Sequence, residues 1–139
     1  MAELILNNVY KKFGDNTVVN DLNLRIPSGA FTALLGPSGC GKTTTLRMLA
    51  GLEKLSSGRL MLGNRVLADS TLHTPSEDRN MSMVFQSYAL WPHMTVAENV
   101  GYPLKIQKVQ REALNKQVNH ALDVVGLEKY AQRTPQELS

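Results

Sequence analysis

The chain has 139 residues, a length that suits one domain, and its 42% hydrophobic and 19% charged residues are typical of a globular protein rather than a disordered one. The net charge of +3 is mild, and no basic stripe is interleaved with aromatic residues, so nucleic acid is not indicated as a partner. A single cysteine excludes a disulfide framework and a cysteine metal cluster, and the lack of a signal-peptide pattern or long apolar run predicts no membrane span.

The first predicted element is a β-hairpin. Residues 4–9 are typical of a strand, a turn follows at residues 14–16, and residues 17–26 are predicted to form a second strand, in which apolar and polar residues alternate in part. A second turn at residues 27–29 then leads into the next segment.

Residues 31–52 combine a short apolar run, a glycine-rich turn and a helical pattern, with no gap between them. The turn fits G-x-x-x-x-G-K-[ST] at every fixed position, which predicts a strand, a P-loop and a helix that bind the phosphates of a nucleoside triphosphate. A chance match in a chain of this length is on the order of one in a few hundred, so an ordinary glycine-rich turn is the weaker interpretation. The candidate binding residues are Gly36, Pro37, Ser38, Gly39, Cys40, Gly41, Lys42, Thr43 and Thr44.

The residue types of this loop suit phosphate chemistry. Glycines allow positive φ, so the backbone N–H groups can point inward at anionic oxygens, and the following helix adds its free N–H groups and the positive end of its dipole. Lys42 is predicted to reach the β- and γ-phosphates, and the Thr43 hydroxyl to ligate a Mg²⁺ ion that bridges them. Cys40 occupies a variable position and is either a small filler or a thiol that bound nucleotide shields from alkylation.

Short β elements are predicted after the P-loop helix. Residues 59–67 are typical of a hairpin with its turn at the central Gly-Asn pair. Residues 69–80 are polar and are predicted to form a surface loop. The apolar run at residues 81–85 is short enough for a buried strand, which ends at Gln86.

Helices are predicted in the last third of the chain. A capping box that begins at Thr95 predicts a helix from Val96, and Pro103 should end it. Residues 110–125 place their apolar side chains on one face and predict a second helix, capped by the glycine that follows. Residues 134–137 form another capping box and predict a further helix start.

Several separate stretches share one resemblance. The Phe13-Gly pair lies upstream of the P-loop at residues 36–43, the tripeptide Val-Phe-Gln86 lies downstream, and the chain closes on Gln-Glu-Leu-Ser139. Together they closely resemble the N-terminal half of an ATP-binding subunit of an ABC transporter. Residues 83–99 look most like importer subunits for ferric iron, sugars, polyamines or phosphonates.

The resemblance implies an α/β fold of the P-loop nucleoside triphosphate hydrolase class, of the ABC ATPase type and incomplete. An antiparallel β subdomain and a P-loop strand–helix unit would be followed by the start of a helical subdomain. We therefore predict a nucleotide-binding core over residues 1–88 and a partial helical subdomain over residues 89–139.

The resemblance also assigns roles to single residues. Phe13 matches the aromatic position that stacks on adenine, although by itself it is also compatible with a core aromatic, and Val18 matches a ribose contact. Gln86 matches a glutamine that ligates Mg²⁺ or holds the attacking water, although a lone glutamine after a strand is usually a surface residue. The implied catalytic residues are Lys42 and Gln86, the implied metal ligands Thr43 and Gln86, and the implied cofactors ATP and Mg²⁺.

Partners and location follow from the same resemblance. Residues 87–94 would lie near the transmembrane permease subunits, where Tyr88, Leu90 and Trp91 either pack into that interface or pack on their own helical subdomain. A second ATP-binding subunit would complete a homodimer, a periplasmic or extracellular solute-binding protein would act indirectly, and no nucleic acid is implied. The protein would be peripheral, on the cytoplasmic face of the cell (inner) membrane.

The sequence departs from the family pattern at its end. Leu138 and Ser139 match only the first two residues of the Leu-Ser-Gly-Gly-Gln signature, and the Walker B aspartate, catalytic glutamate and switch histidine have no match. We therefore expect a shortened chain that does not hydrolyse ATP usefully alone. The strands near Phe31 and Met81 should expose an apolar edge or face, and the isolated chain should be marginally stable.

Three functions remain as hypotheses. The first is the energy-coupling ATPase subunit of an ABC importer, in which ATP hydrolysis drives solute uptake. The second is a non-catalytic ATP-binding fragment without transport activity. The third, a small kinase or GTPase, is the weakest because the sequence has no N-K-x-D guanine motif.

Overall fold

A computed structural model describes residues 2–138, and the chain divides into two compact units. The first unit ends at Met83 and the second begins at Val84. The first unit contains a β-sheet and the P-loop helix, and the second contains two longer α-helices.

The first unit is built on a four-stranded antiparallel sheet with strand order β2-β1-β3-β4. The predicted first hairpin is confirmed, with Phe13 paired to Asn16 across its turn, and the predicted second hairpin is confirmed as β3 and β4. Its turn contains Gly63, whose φ of 57° favours glycine. The strands are β1 Leu4–Phe13, β2 Asn16–Ile26, β3 Ser57–Leu62 and β4 Arg65–Ala68.

One face of this sheet carries the core of the first unit. The helix α1, Lys42–Ala50, contributes Met48, which is fully buried, and Thr45. Burying an apolar side chain of this size stabilises the fold by about 1.5–3 kcal/mol, so these contacts fix α1 on the sheet. The buried apolar residues of this core are Leu6, Val9, Val19, Met48, Leu60, Leu67 and Ala68.

Two predicted strands are wrong, at residues 31–35 and 81–85. Neither segment belongs to a sheet, and within residues 2–138 no strand pairs with them. A strand needs a neighbour that takes up its backbone hydrogen bonds, and the apolar pattern alone cannot supply one. The predicted apolar exposure is confirmed, because Phe31 is 97% and Leu35 is 91% exposed.

The predicted surface loop at residues 69–80 needs a correction. It contains a short 3₁₀ helix at Ser76–Asp78, and Thr74 and Arg79 are buried rather than solvent-exposed. Arg79 is 0% exposed, which is rare for an arginine. The polar composition of the segment does not indicate this burial. Arginine is buried only where acceptors surround its guanidinium group, and composition does not show where those acceptors lie.

The second unit begins its helices at the predicted capping box. The hydroxyl of Thr95 accepts a hydrogen bond from the Glu98 N–H at 3.2 Å, and the Glu98 carboxylate accepts one from the Thr95 N–H at 2.9 Å. The hydrogen bond from the Thr95 N–H lowers the pKa of the Glu98 carboxyl. The helix α2, Val96–Ile106, therefore starts where the sequence predicted.

The predicted end of α2 at Pro103 is wrong. Pro103 lies inside the helix, and the Gln107 N–H donates to the Pro103 carbonyl at 3.1 Å. Proline removes only its own N–H bond and leaves its carbonyl usable, so one further turn can form after it. The rule that proline ends a helix reflects a local energetic cost, and the last turn of α2 forms despite that cost.

The core of the second unit lies between α2 and the helix α3, Arg111–Val124. Its buried residues are Val96, Val118 and Leu122. The predicted glycine cap of α3 is confirmed, since Gly126 has a φ of 69° and its N–H donates to the Asp123 carbonyl at 3.0 Å. None of the helices described between residues 2 and 138 is both long and apolar enough to cross a membrane.

Short 3₁₀ helices follow α3, at Glu128–Tyr130 and Pro135–Leu138. The second of them begins at the predicted helix start, where the Glu137 carboxylate accepts a hydrogen bond from the Thr134 N–H at 2.6 Å. Ser139, the second matched residue of the signature, lies outside the described residues.

Candidate nucleotide-binding site

The P-loop joins the extended segment at residues 31–35 to the first turn of α1. Gly41 is the residue before the helix and has a φ of 90°, in the left-handed region that favours glycine. A Cβ atom at this position would lie 2.7 Å from the carbonyl oxygen of Val18 on β2. Gly41 is therefore needed both for its conformation and for the close approach of β2.

The N-terminus of α1 is left open to an anion. No side chain caps it, and its first turn contains no acidic residue. The Thr45 N–H already donates to the Gly41 carbonyl at 2.8 Å, so the free N–H groups are those before Thr45. Free N–H groups and the positive end of the helix dipole favour a negatively charged ligand here.

The Lys42 ammonium is held by the loop that precedes it. Its Nζ donates to the carbonyl oxygens of Gly36 and Pro37 at 2.7 Å each, and lies 3.3 Å from the Sγ of Cys40. The loop thus curls around the lysine. These are neutral acceptors, and an ammonium makes stronger hydrogen bonds to anionic oxygens.

A pocket of about 420 Å³ lies between the P-loop and β2. Most of the loop residues predicted from the P-loop motif line this pocket. Val18, which was predicted only from the family resemblance, lines it as well. Its lining residues are Val18, Ser38, Gly39, Gly41, Lys42, Thr43 and Thr44.

The donors at this pocket suit a magnesium–phosphate ligand better than a free metal ion. Among residues 2–138 no three His, Cys, Asp or Glu side chains lie close enough to hold a metal. A Mg²⁺ ion here would depend on the Thr43 hydroxyl, on ligand oxygens and on water. Magnesium keeps several waters, so one protein hydroxyl fits its usual coordination at phosphates.

Phe13 lies at the end of β1, next to the turn of the first hairpin. The residue is 49% exposed and does not belong to the core, which excludes the alternative of a buried core aromatic. The Nζ of Lys11 lies 4.5 Å from the centroid of its ring. One face of the ring is therefore covered by a cation while the residue stays half exposed.

Gln86 belongs to the second unit, where it lies in a turn and is exposed. The turn is closed by a hydrogen bond from the Tyr88 N–H to the Phe85 carbonyl at 3.0 Å, and Tyr88 has a φ of 60°. The proposed roles of Gln86 as a metal ligand and a catalytic residue stay predictions, because the P-loop belongs to the other unit.

The three apolar residues that follow Gln86 differ in their surroundings. The Trp91 ring packs on Tyr102 of α2, with ring centroids 4.2 Å apart. This agrees with the alternative in which these residues pack on their own helical subdomain. Tyr88 is 77% exposed and Leu90 is 51% exposed. These two side chains remain available for a partner.

Arg79 is a structural residue that the sequence analysis missed. Its guanidinium donates to the carbonyl oxygens of Thr74 at 2.7 Å, Met48 at 2.7 Å and Leu49 at 2.9 Å. Burial lowers the pKa of Arg79, and Arg65 lowers it further. The last two carbonyls belong to the C-terminal turn of α1, so Arg79 anchors the P-loop helix at its negative end.

The sequence profile of the ABC transporter family matches residues 19–139. The chain belongs to the ABC transporter family. The resemblance inferred from the motifs is thereby confirmed, and so is the incomplete ABC ATPase fold that it implied.

Curated relatives within this family are import proteins by name. The chain is 48% identical over 141 residues to the trehalose/maltose import ATP-binding protein MalK of Thermococcus litoralis, covering 100% of this chain and 38% of the relative. It is 49% identical over 134 residues to the spermidine/putrescine import ATP-binding protein PotA of Haemophilus influenzae, covering 96% and 35%. The chain thus spans little more than a third of the length of these relatives.

A solved structure shows the same fold. It is the dimeric structure of a post-hydrolysis state of the ATP-binding cassette MJ0796 bound to ADP and Pi, with a TM-score of 0.81 and 30% sequence identity. The match covers 98% of this chain and 63% of that chain.

The thiol of Cys40, which lies beside the Lys42 ammonium, offers a test of ATP binding at the P-loop. Cys40 is the only cysteine of the chain and is exposed, so an alkylating reagent labels a single known position. At an ATP concentration about ten times the Kd, we expect alkylation to slow about tenfold, because only about a tenth of the sites stay free. Mass spectrometry of the labelled chain over time measures the rate. Equal rates with and without ATP would place Cys40 away from the ligand, and chain unfolded in urea is the control.

Proposed function

We propose that this chain binds ATP at the P-loop, as the ATP-binding part of the energy-coupling subunit of an ABC importer. The observation that carries the proposal is the pocket at the open N-terminus of α1, lined by Lys42, Thr43 and glycine backbone. Relatives at 48–49% identity are named as import ATP-binding proteins, which supports the same function.

Each residue of the pocket has a distinct part in binding. The Lys42 ammonium exchanges the carbonyls of Gly36 and Pro37 for oxygens of the β- and γ-phosphates, while N–H groups at the start of α1 bind the same chain of phosphates. The Thr43 hydroxyl would hold a Mg²⁺ ion, which would neutralise part of the phosphate charge. Phe13 stacks on adenine, and Val18 contacts the ribose.

The proposed chemistry is hydrolysis of ATP, with solute transport as its outcome. Phosphoryl transfer depends mainly on positioning and on charge neutralisation, which Lys42 and the magnesium ion supply when bound, and Gln86 would hold the attacking water. Residues 2–138 contain no assigned general base, so we expect hydrolysis only with further elements. The alternative is a non-catalytic ATP-binding fragment, which binds ATP but does not hydrolyse it. Phosphate release, measured for the chain together with its partners, distinguishes the two functions.

The proposed assembly is a dimer of ATP-binding subunits on transmembrane permease subunits. A solved relative of the same fold is dimeric, and the relatives are import proteins by name. Exposed Tyr88 and Leu90 suit a contact with the permease. We therefore propose that the protein is peripheral, on the cytoplasmic face of the cell (inner) membrane, and that a solute-binding protein acts on it indirectly.

Isothermal titration with ATP, in Mg²⁺ and then in EDTA, tests the proposal. We expect ATP to bind more tightly with Mg²⁺, because the ion joins the phosphates to the Thr43 hydroxyl. We expect AMP to bind at least about 100-fold more weakly than ATP, since it lacks the phosphates that make charge-assisted hydrogen bonds. Equal affinities for AMP and ATP would contradict binding through the P-loop.

A further inference from the structure

Lys11 is a buried lysine outside the P-loop. It is 8% exposed, which is unusual for this residue type, and its side chain lies on β1 two residues before Phe13. Its Nζ donates to the Glu53 carboxylate at 2.7 Å and lies 4.5 Å from the centroid of the Phe13 ring. A single ammonium thus has one ionic partner and one aromatic partner.

Glu53 is the ionic partner of the Lys11 ammonium. It follows α1, after the Gly51 cap, and its side chain is 26% exposed. The hydrogen bond from Lys11 lowers the pKa of the Glu53 carboxyl. Since a largely buried ion pair adds little net stability over an apolar pair of the same size, stability alone is a weak reason for this arrangement.

We propose that Lys11 is a positioning residue that fixes the Phe13 ring and tunes its free face for a purine base. The inference rests on the proposed binding of ATP with adenine stacked on Phe13. The inference assigns a role in base recognition to Lys11 and gives a physical cause for a preference for purines.

The geometry supports this role through both faces of the ring. The ammonium lies over one face of the half-exposed ring, so a base would stack on the opposite face. A cation draws π-electron density toward itself, which makes the opposite face less negative. An electron-rich purine then stacks on that face more favourably than a pyrimidine of smaller area.

The test separates base recognition from phosphate binding. We use the double variant Lys11→Met and Glu53→Gln, because it removes the cation without leaving a partly buried carboxylate unpaired. Titration with ATP and, separately, with inorganic tripolyphosphate measures the two parts of the ligand. We expect ATP affinity to fall about threefold to tenfold, the loss expected when one aromatic stacking contact is weakened, with tripolyphosphate affinity unchanged.

Three further variants make the outcome specific. Lys12→Met changes the adjacent, exposed lysine and should leave the affinities for ATP and tripolyphosphate unchanged. Lys11→Arg keeps a cation over the ring and should retain most of the ATP affinity of the parent chain. In a Phe13→Ala background the double variant should have no additional effect, because the ring that it tunes is gone.

Each result decides the inference. Unchanged ATP affinity in the double variant, or an equal loss of ATP and tripolyphosphate affinity, would overturn the positioning role. A parent chain that binds neither ligand would overturn the proposed function itself, whereas selective loss of ATP affinity supports both.

Discussion

Replacement of Lys42 by alanine is expected to weaken ATP binding by at least about 100-fold, because charge-assisted hydrogen bonds to two phosphates are lost together. In the structure the Lys42 ammonium donates to the loop carbonyls of Gly36 and Pro37 and to the Cys40 Sγ. These contacts are local to the loop, so the fold should survive the change. Isothermal titration with Mg·ATP measures the affinity, and circular dichroism checks the fold.

Lys116→Ala is the matched control for this experiment. Lys116 is exposed on α3, in the second unit, and carries the same charge. Its removal should change ATP affinity by no more than about twofold, since Lys116 belongs to the other unit and salt screens exposed charges. If Lys42→Ala and Lys116→Ala bind ATP equally, the assignment of the site to the P-loop is wrong.

Replacement of Arg79 by methionine is expected to reduce the free energy of unfolding by about 3–5 kcal/mol. Methionine fills much of the volume but donates no hydrogen bond, so the carbonyls of Thr74, Met48 and Leu49 lose their common donor. The Arg79 side chain is fully buried, and water cannot replace it without opening the end of α1. Urea denaturation followed by circular dichroism measures the loss.

Arg59→Met provides the control in the same unit. Arg59 is exposed, with its guanidinium 3.9 Å from the Asp69 carboxylate, and a surface pair of this kind contributes about 0–1 kcal/mol. Arg79→Lys should recover only part of the loss, because an ammonium lacks the planar fork that reaches three carbonyls. A stability of Arg79→Met within about 1 kcal/mol of the parent would show that the buried arginine is dispensable.

These two predictions address opposite ends of one helix. Lys42 begins α1 and is proposed to act on the ligand, whereas Arg79 binds the carbonyls of its last turn. A helix that is fixed at its C-terminus holds its N–H groups at the other end in place for a phosphate. Loss of Arg79 is therefore expected to reduce stability and, because α1 is held less firmly, to weaken ATP binding as well.

The sequence by itself determined the features that depend on short-range spacing. The two hairpins, the P-loop and its helix, and the capping box at Thr95 follow rules that involve only neighbouring residues. The family resemblance added Val18, which the structure places in the pocket with the loop. No spacing rule would have found that contact, since β2 reaches Gly41 only after the chain folds.

The tertiary structure alone decided the features that depend on distant partners. Residues 31–35 and 81–85 have strand-like sequences but no neighbouring strand within residues 2–138. Arg79 is buried because the end of α1 supplies its acceptors, although the sequence shows only a polar segment. Hydrogen-bond partners and burial are set by segments far apart in the chain, so local composition does not encode them.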